Sequence, residues 1–246
     1  MRKLGKKNQV KPDRWDVYIA TPAYDGKVDC DYSQSLAEAA FCSPLYQVRM
    51  SAGVMGNGAF IELARNIFVK KFLEEFPEAT HLFFIDADLK FPPNAFIGLI
   101  RSGLPICAGV YRRRQDPEEY PVKWSEHPDL GGLWLEDGWL MCDRVPTGFL
   151  CISRKVIEEM AEDARKLNIH GQKGEVPELF YTKIDEENRF VGEDYAFCDD
   201  YRRKYNKPIP VWADIDFVHG GHSGNFQAWL EKQIKLEEQK KQDSAA

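Results

Sequence analysis

A short apolar run that ends in acidic residues constrains the fold of this chain more than any other feature. The run His81–Ile85 is apolar after its first residue, and Asp86, Ala87 and Asp88 follow it directly. Because its apolar side chains do not alternate with polar ones, the run predicts a strand that is buried on both faces of a sheet. Such a strand requires a layer of helices on each face. The run therefore predicts an α/β protein with acidic residues at one edge of its sheet.

The segments around this run alternate between strand and helix patterns. Apolar residues recur with helical spacing between the predicted strands, and Pro22 closes the first strand. Alternation of this kind indicates a mainly parallel central sheet flanked by crossover helices. The predicted elements up to residue 111 are strands at 15–21, 81–85 and 105–111 and helices at 31–41, 58–76 and 93–102.

The second half of the chain has a different pattern. Residues 120–152 form short segments separated by turn residues, which predicts a smaller antiparallel region whose ribbons flank the sheet. The segment 231–246 is polar and predicts a C-terminal helix or tail beyond one main domain at 15–230. The other predicted elements are helices at 153–167 and 193–205 and strands at 210–214 and 217–219.

Composition and charge exclude several classes of protein. The 246 residues are 43% hydrophobic and 29% charged, which is typical of one globular enzyme domain. No apolar run approaches the roughly 20 residues that cross a bilayer, so we expect no membrane span. The basic segment 1–14 leads into no apolar stretch, which predicts a flexible arm and a cytoplasmic location rather than a secretion signal. Six scattered cysteines predict free, mostly buried thiols, and the net charge of -6 argues against a surface devoted to nucleic acid.

Asp86 and Asp88 are candidate metal ligands. Hard divalent cations such as Mn²⁺ and Mg²⁺ prefer carboxylate oxygens, and the two residues lie where the predicted strand leaves the sheet. Ligands of open α/β sheets bind at this carboxyl edge. If the strand turns at Ala87, both carboxylates can reach one cation, which would neutralise a diphosphate. The alternative is an acidic strand end that caps the helix at Pro93 or binds only solvent.

Two later segments carry further groups of catalytic type. Glu193 and Asp194 lie at the predicted N-terminus of a helix, where either carboxylate could accept a proton from a hydroxyl group. Helix dipoles also stabilise acidic residues at this position in proteins where they have no catalytic role. His219 and His222 lie in a glycine-rich turn after a predicted strand, and an imidazole can complete a carboxylate metal site. Their distance in sequence from Asp86 means that only the fold can bring these groups together.

In their order along the chain, these and other short motifs resemble the GT-A family of glycosyltransferases, in particular its short single-domain members from bacteria and bacteriophages. The resemblance covers residues 15–228, nearly the whole chain. Each motif alone is weak evidence for the family, whereas the order in which they occur together is specific to it. The motifs are Thr21-Pro22, Ala64-Arg65-Asn66, Phe84-Ile85-Asp86-Ala87-Asp88, Ala108-Gly109-Val110-Tyr111, Thr147-Gly148-Phe149, Glu193-Asp194 with Phe197-Cys198, and His219.

The resemblance implies the Rossmann-like GT-A fold, Mn²⁺ or Mg²⁺ as cofactor, and a nucleotide-sugar donor, which we expect to be UDP-linked. It implies Asp86, Asp88 and His219 as metal ligands, with His222 as the alternative histidine. It also implies Asp194 as the catalytic base, with Glu193 beside it. The implied donor-binding residues are Thr21, Pro22, Ala23, Tyr24, Arg65, Asn66, Asp86, Ala87 and Asp88.

These motifs do not identify the acceptor of the sugar. Arg112, Arg114 and Gly148 could contact phosphate groups of the donor or the acceptor, although arginine runs are often only solvated. Similar phage enzymes modify hydroxymethylated pyrimidines in DNA, and the N-terminal arm is basic. DNA in a bacterial or phage-infected cell is therefore one candidate acceptor. A surface polysaccharide, a small metabolite and a protein side chain are the others.

Three other classes of protein share part of this pattern. A phosphatase of the haloacid dehalogenase type also has Asp-x-Asp after a buried strand, but a pair such as Gly-Thr follows it there, whereas Leu89 and Lys90 follow it here. A sugar-nucleotide pyrophosphorylase should have a glycine-rich basic segment after its first strand, which residues 21–25 lack. A nucleotide-sugar-binding protein without catalytic activity fits the metal site equally well but does not need Glu193 and Asp194.

Overall fold

The computed structural model describes residues 14–56 and 60–245 of the chain. The predicted basic arm, 1–14, therefore lies outside the described residues except for Arg14. None of the helices in the described part of the chain combines the length and the apolar character that a membrane crossing requires. The α-helices are α1 (Cys30–Cys42), α2 (Ile61–Glu75), α3 (Pro93–Arg101), α4 (Arg154–Asp163), α5 (Glu193–Tyr205) and α6 (Phe226–Ala245).

The strands form one large sheet and three small ones within the described residues. The large sheet has the order β2-β1-β3-β9-β5-β14-β8-β6, with β7 paired to β8. In chain order the strands are β1 (Trp15–Ala23), β2 (Val48–Gly56), β3 (His81–Ile85), β4 (Leu89–Lys90), β5 (Ile106–Gly109), β6 (Lys123–Trp124), β7 (Leu135–Glu136), β8 (Trp139–Arg144), β9 (Phe149–Ser153), β10 (Lys166–Leu167), β11 (Val176–Pro177), β12 (Lys183–Ile184), β13 (Phe190–Val191), β14 (Ile209–Trp212), β15 (Asp216–His219) and β16 (His222–Asn225).

The strands of the central sheet run mostly in one direction, which confirms the prediction. β1 pairs in parallel with β2 and with β3, and β5 pairs in parallel with β14. β9 lies between β3 and β5 and is antiparallel to both, so these two strands also point the same way. The strands β2, β1, β3, β5 and β14 therefore end at a common edge, where ligands of such sheets bind.

Three sequence predictions for the second half differ in detail from the structure. Residues 120–152 do not merely flank the sheet, because β9 is inserted at its centre. The first four residues of β9 are buried, so the strand has the apolar composition of a central strand on both faces. The helix predicted at 153–167 ends at Asp163, and β10 pairs instead with β11. α6 begins at Phe226, earlier than the predicted polar segment, because Asn225 Oδ1 accepts a hydrogen bond from the amide of Ala228 and caps the helix.

The sheet separates two core clusters, which gives the three-layer α/β fold that the sequence predicts. Side chains of β3 alternate between the clusters, with Leu82 and Phe84 in one and Phe83 and Ile85 in the other. Residues of α2, α4 and α5 pack in the first cluster, and residues of α1 and α3 pack in the second. Each fully buried phenylalanine contributes on the order of 2 kcal/mol, so β3 is a firm support for the acidic residues that follow it. The six cysteines are free and four of them are buried, as predicted.

Candidate metal centre and catalytic site

Asp86 and Asp88 leave the sheet at the carboxyl end of β3. The amide of Asp86 donates to the carbonyl of Gly148 at 3.0 Å, which extends the pairing of β3 beyond its last residue. The carbonyl of Asp86 accepts from the amide of Leu89 at 3.3 Å and closes a turn around Ala87. Two carboxylates separated by one residue need such a turn if they are to face one point.

A short strand pairing brings His219 to the two aspartates. β4 follows the turn at 86–88 and pairs antiparallel with β15, which places His219 opposite Leu89. The amide of Gly220 also donates to the carbonyl of Asp88 at 3.0 Å. As a result, one ligand atom from each of Asp86, Asp88 and His219 lies within 4.8 Å of the other two.

The imidazole of His219 presents Nε2 to the carboxylates. Its Nδ1 lies 2.8 Å from the carbonyl oxygen of Arg112, and because a carbonyl only accepts, Nδ1 carries the hydrogen. Nε2 lies 3.4 Å from Asp88 Oδ1. Metal-binding histidines are commonly oriented by such an acceptor on the other ring nitrogen. His222 lies opposite His219 on β16, outside this cluster. Two carboxylates and one imidazole fit a divalent cation such as Mn²⁺.

Asp88 and His219 stabilise each other's charged forms. Burial acts to raise the pKa of Asp88, but the hydrogen bond with His219 and the charges of His219 and Arg114 outweigh it and hold the pKa below its ordinary value. Burial acts to lower the pKa of His219, but the hydrogen bonds with Asp88 and with the Arg112 carbonyl, together with the charges of the two aspartates, outweigh that effect and raise it. A cation that binds Nε2 must displace this proton, so metal affinity should fall as the pH is lowered.

Asp86 is held by Tyr111, which lies just beyond the end of β5. The Tyr111 hydroxyl donates to Asp86 Oδ2 at 2.7 Å and accepts from the amide of Gly148 at 3.1 Å. A Cβ at Gly148 would lie 2.0 Å from Asp86 Oδ2, so only glycine fits beneath the carboxylate. Gly148 therefore supports the metal cluster from below. No role for Tyr111 is predicted from the sequence. The signal that could have indicated one is its position just after β5, a strand that runs parallel to β3.

Arg65 connects the metal cluster to the acidic pair of α5. Its guanidinium forms an ion pair with Glu193, and its Nη2 lies 3.4 Å from Asp86 Oδ1. The Arg65 side chain is only 3% exposed. Burial acts to lower its pKa, but the charges of Asp86 and Glu193 outweigh this effect and raise it. Removal of Arg65 would leave two carboxylates without their shared cation, which is strongly destabilising for a buried network.

Asp194 is a partly buried carboxylate whose pKa is raised. It lies in the first turn of α5, and its Oδ1 accepts a hydrogen bond from the amide of Tyr195 at 2.7 Å. Burial, reinforced by the neighbouring charge of Glu193, raises the pKa of Asp194 to about 6. A base with a pKa near the working pH combines an ionised ground state with a useful affinity for protons.

A cavity of about 860 Å³ opens beside the metal cluster. This volume suits a ligand of several linked groups. Pro22 and Ala23 at the end of β1, and Tyr24 directly after it, line this cavity. Another cavity, of about 720 Å³ beside β6 and the end of α5, is lined by none of the metal-cluster residues. The metal cluster contributes Asp86, Asp88 and His219 to the lining of the first cavity, and Ala87 and Arg114 also line it.

Three further residues expected to contact a ligand, like Arg65, have partners within the protein. Thr21 is fully buried, and its hydroxyl lies 2.6 Å from that of Tyr32. The amide group of Asn66 bonds to the backbone of residues 179–180. The guanidinium of Arg112 bonds to the backbone of Gln115 and Ser223 and to Asp116. These contacts stabilise the walls of the site, and they differ from the ligand contacts that the sequence predicts.

No protein-family model matches this chain, and no curated protein matches it. Among solved structures, it is similar to A197 from STIV, with 15% identity and a TM-score of 0.51 over 83% of this chain and 85% of that chain. Two others have lower TM-scores. The inositol-1-phosphate CTP transferase from T. maritima is 10% identical over 85% of this chain and 90% of its own, with a TM-score of 0.42. A glycosyltransferase involved in the glycosylation of the major capsid of PBCV-1 is 10% identical over 59% and 63%, with a TM-score of 0.34. The likeness to A197 concerns the fold, a mostly parallel sheet flanked by helices.

Proposed function

We propose that this chain is a metal-dependent glycosyltransferase of the GT-A type, which moves a sugar from a UDP-linked donor to a hydroxyl group. The observation that carries the proposal is the convergence of Asp86, Asp88 and His219 in the wall of one cavity. The acidic pair that contains Asp194 is linked to this cluster through Arg65. Cation ligands, a cavity beside them and a carboxylate with raised pKa are the parts that metal-assisted sugar transfer needs.

The proposed cation ligands are Asp88, His219 and Asp86. A divalent cation bound there, Mn²⁺ or Mg²⁺, would neutralise the donor diphosphate and stabilise the charge that develops on it as the sugar leaves. Tyr111 and Arg65 fix the orientation of Asp86, so little rearrangement would be needed when the cation binds.

The nucleotide part of the donor would lie against the loop after β1. Tyr24 is 80% exposed and lines the cavity together with Pro22 and Ala23. An exposed aromatic ring beside a polar cavity is suited to stacking on a base. In this proposal the loop contacts the base and ribose while the diphosphate reaches towards Ala87 and Asp88.

Asp194 would receive the proton of the acceptor. In the transfer step, the acceptor oxygen forms a bond to the anomeric carbon, and the bond from that carbon to the diphosphate oxygen breaks. The nucleoside diphosphate departs with the bonding electrons, and the hydroxyl proton passes to the carboxylate of Asp194. Because Glu193 already forms an ion pair with Arg65, it would position its neighbour rather than react.

The acceptor we propose to test first is a hydroxymethylated base in phage DNA. The basic segment 1–14 of the sequence supports this choice, although it lies outside the described residues. Transfer to such DNA should then weaken steeply with salt, because cationic side chains displace counterions from the phosphates. Salt-independent transfer to a small hydroxylated molecule would contradict DNA as the acceptor.

The phosphatase alternative differs from this chain in sequence. A pair such as Gly-Thr follows the Asp-x-Asp segment of such enzymes, whereas Leu89 and Lys90 follow it here. The contacts of Asp86 with Tyr111 and Arg65 fix the orientation of its carboxylate and do not distinguish a metal ligand from a nucleophile.

The proposal is tested by a thermal-shift panel of nucleotide sugars and free nucleotides, with and without Mn²⁺. A ligand at 100 times its Kd stabilises the native state by about 2.7 kcal/mol, which raises the Tm of a chain of this size by roughly 5–10 °C. UDP-sugars should give this shift only with Mn²⁺. Asp88→Asn should remove the Mn²⁺-dependent part of the shift, measured against the variant's own unliganded Tm. A panel in which Mn²⁺ changes no shift would contradict the proposal.

A further inference from the structure

Arg114 places a cationic group on one of the proposed metal ligands. Its Nη1 lies 2.6 Å from Asp88 Oδ2, while Asp88 Oδ1 faces His219. The Arg114 side chain is 60% exposed, whereas that of Asp88 is 23% exposed. The guanidinium therefore approaches the metal cluster from the solvent side and contacts the oxygen that His219 does not.

The turn between β15 and β16 provides a fitted surface for this arginine. A Cβ at Gly220 would lie 2.4 Å from Arg114 Cδ, so the aliphatic part of the side chain lies directly on the glycine. Gly220 has a φ of +53°, a conformation that disfavours other residues. Its amide also donates to the carbonyl of Asp88 at 3.0 Å. The turn thus brings Asp88 and Arg114 together through contacts with both.

Arg114 and a divalent cation would compete for the same carboxylate, although His219 faces Oδ1 and Arg114 contacts Oδ2. Two cations on one carboxylate repel each other, so metal binding at Asp88 would weaken the contact of the guanidinium with Oδ2. Arg114 lines the same cavity as Asp88 and Ala87, and its exposed side chain has room to turn within it. A planar guanidinium is well matched to phosphate oxygens, which would be the nearest new anion once a donor is bound.

We propose that Arg114 is an internal cation that occupies Asp88 until the divalent metal displaces it, and that it then binds the donor diphosphate. This inference rests on the proposed function, because it needs both the metal and the diphosphate. Arg114 would then have opposite effects on two binding constants. Arg114 weakens the binding of metal alone and strengthens the binding of diphosphate in the presence of metal.

The test compares wild type with Arg114→Gln in two titrations. The first measures Mn²⁺ alone by electron paramagnetic resonance, and Arg114→Gln should bind it about two- to fivefold more tightly, the range that loss of one exposed ion pair allows. The second measures inorganic pyrophosphate at saturating Mn²⁺ by calorimetry, because pyrophosphate carries the diphosphate without a base. There the variant should bind about tenfold more weakly, as expected for loss of a charge-assisted contact.

Two further variants separate this role from a general loss of positive charge. Arg113→Gln removes the adjacent arginine, whose Nε lies 3.8 Å from Glu119 and which has no ion pair with Asp88, so both constants should stay at the wild-type values. Arg114→Lys keeps the charge and should restore most of the wild-type metal constant. Weaker or unchanged Mn²⁺ binding by Arg114→Gln, with clear binding by wild type, would overturn the inference alone. Absence of Mn²⁺ binding by wild type would contradict the proposed function as well.

Discussion

Replacing Asp194 with asparagine should stabilise the folded chain at neutral pH while it removes transfer activity. The raised pKa means that folding disfavours the ionised form of this carboxylate. At a pH between the ordinary and the folded pKa, the native state binds more protons than the unfolded state, so stability falls as the pH rises through this interval. Asparagine has the same shape and no charge, and its Oδ1 can still accept the hydrogen bond from Tyr195.

The size of the effect follows from the two pKa values. The ordinary value is 3.8 and the folded value is about 6, and each unit corresponds to about 1.4 kcal/mol. The ionised Asp194 therefore costs the native state about 3 kcal/mol above pH 6, and almost nothing below about pH 4. Because the asparagine amide must also be solvated or bonded, we expect a net gain of about 2 kcal/mol at pH 8. In a domain of this size that gain raises the Tm by roughly 4–8 °C.

The assay is urea unfolding of wild type and Asp194→Asn from pH 4 to pH 8, in EDTA so that no metal alters the carboxylates. The difference in unfolding free energy should grow from near zero at pH 4 to a plateau above pH 6. Asp185→Asn is the control. Hydrogen bonds lower the pKa of Asp185, the largest contribution coming from the backbone amide of Arg189. Its replacement should therefore not stabilise the folded chain at pH 8. A difference between wild type and Asp194→Asn that does not change with pH would refute the reasoning.

Three further predictions concern the metal cluster. Gly148→Ala should weaken Mn²⁺ binding at least about tenfold, because the added Cβ would displace the carboxylate of Asp86. An unchanged Kd for Mn²⁺ would mean that Asp86 is not a metal ligand. Tyr111→Phe should lower the free energy of unfolding by about 1–3 kcal/mol in urea melts, because the Asp86 carboxylate and the Gly148 amide both lose a hydrogen-bond partner. An unchanged free energy of unfolding would mean that water replaces the hydroxyl group. His219→Ala should weaken Mn²⁺ binding in calorimetry while His222→Ala does not, and equal losses would contradict the choice of His219.

β1, β3, β5 and β14 could be predicted because they are apolar runs separated by helical spacing. β2, the parallel neighbour of β1, was not predicted, because only its first residue is buried and its sequence is not an apolar run. The place of β9 could not be predicted either, since a run that is apolar on both faces reveals burial but neither direction nor neighbours. Its position depends on contacts distant in sequence, with Cys151 opposite both Phe83 and Cys107. The end of α4 shows a similar limit. Leu167 continues the helical spacing, but pairing with Val176 determines its structure.

The candidate site divides in the same way. The position of Asp86 and Asp88 at a strand end follows from local pattern, whereas the approach of His219 depends on the two-residue strand β4, which has no local signal. The contacts of Tyr111 with Asp86 and of Arg114 with Asp88 could not be predicted for a different reason. They depend on close approaches that two glycines permit, one beneath Asp86 and one beneath Arg114. The catalytic and donor-binding roles themselves remain predictions.

The measurement that most directly tests the metal-dependent transferase is the release of UDP from a UDP-sugar by purified chain, followed with Mn²⁺ and with EDTA. Asp88→Ala provides the test variant, and Asp129→Ala, which alters an exposed aspartate outside the metal cluster, provides the matched control. We expect Mn²⁺-dependent release by wild type and by Asp129→Ala, and none above background by Asp88→Ala with an unchanged circular dichroism spectrum. Release that persists in EDTA, or in folded Asp88→Ala, would contradict the account.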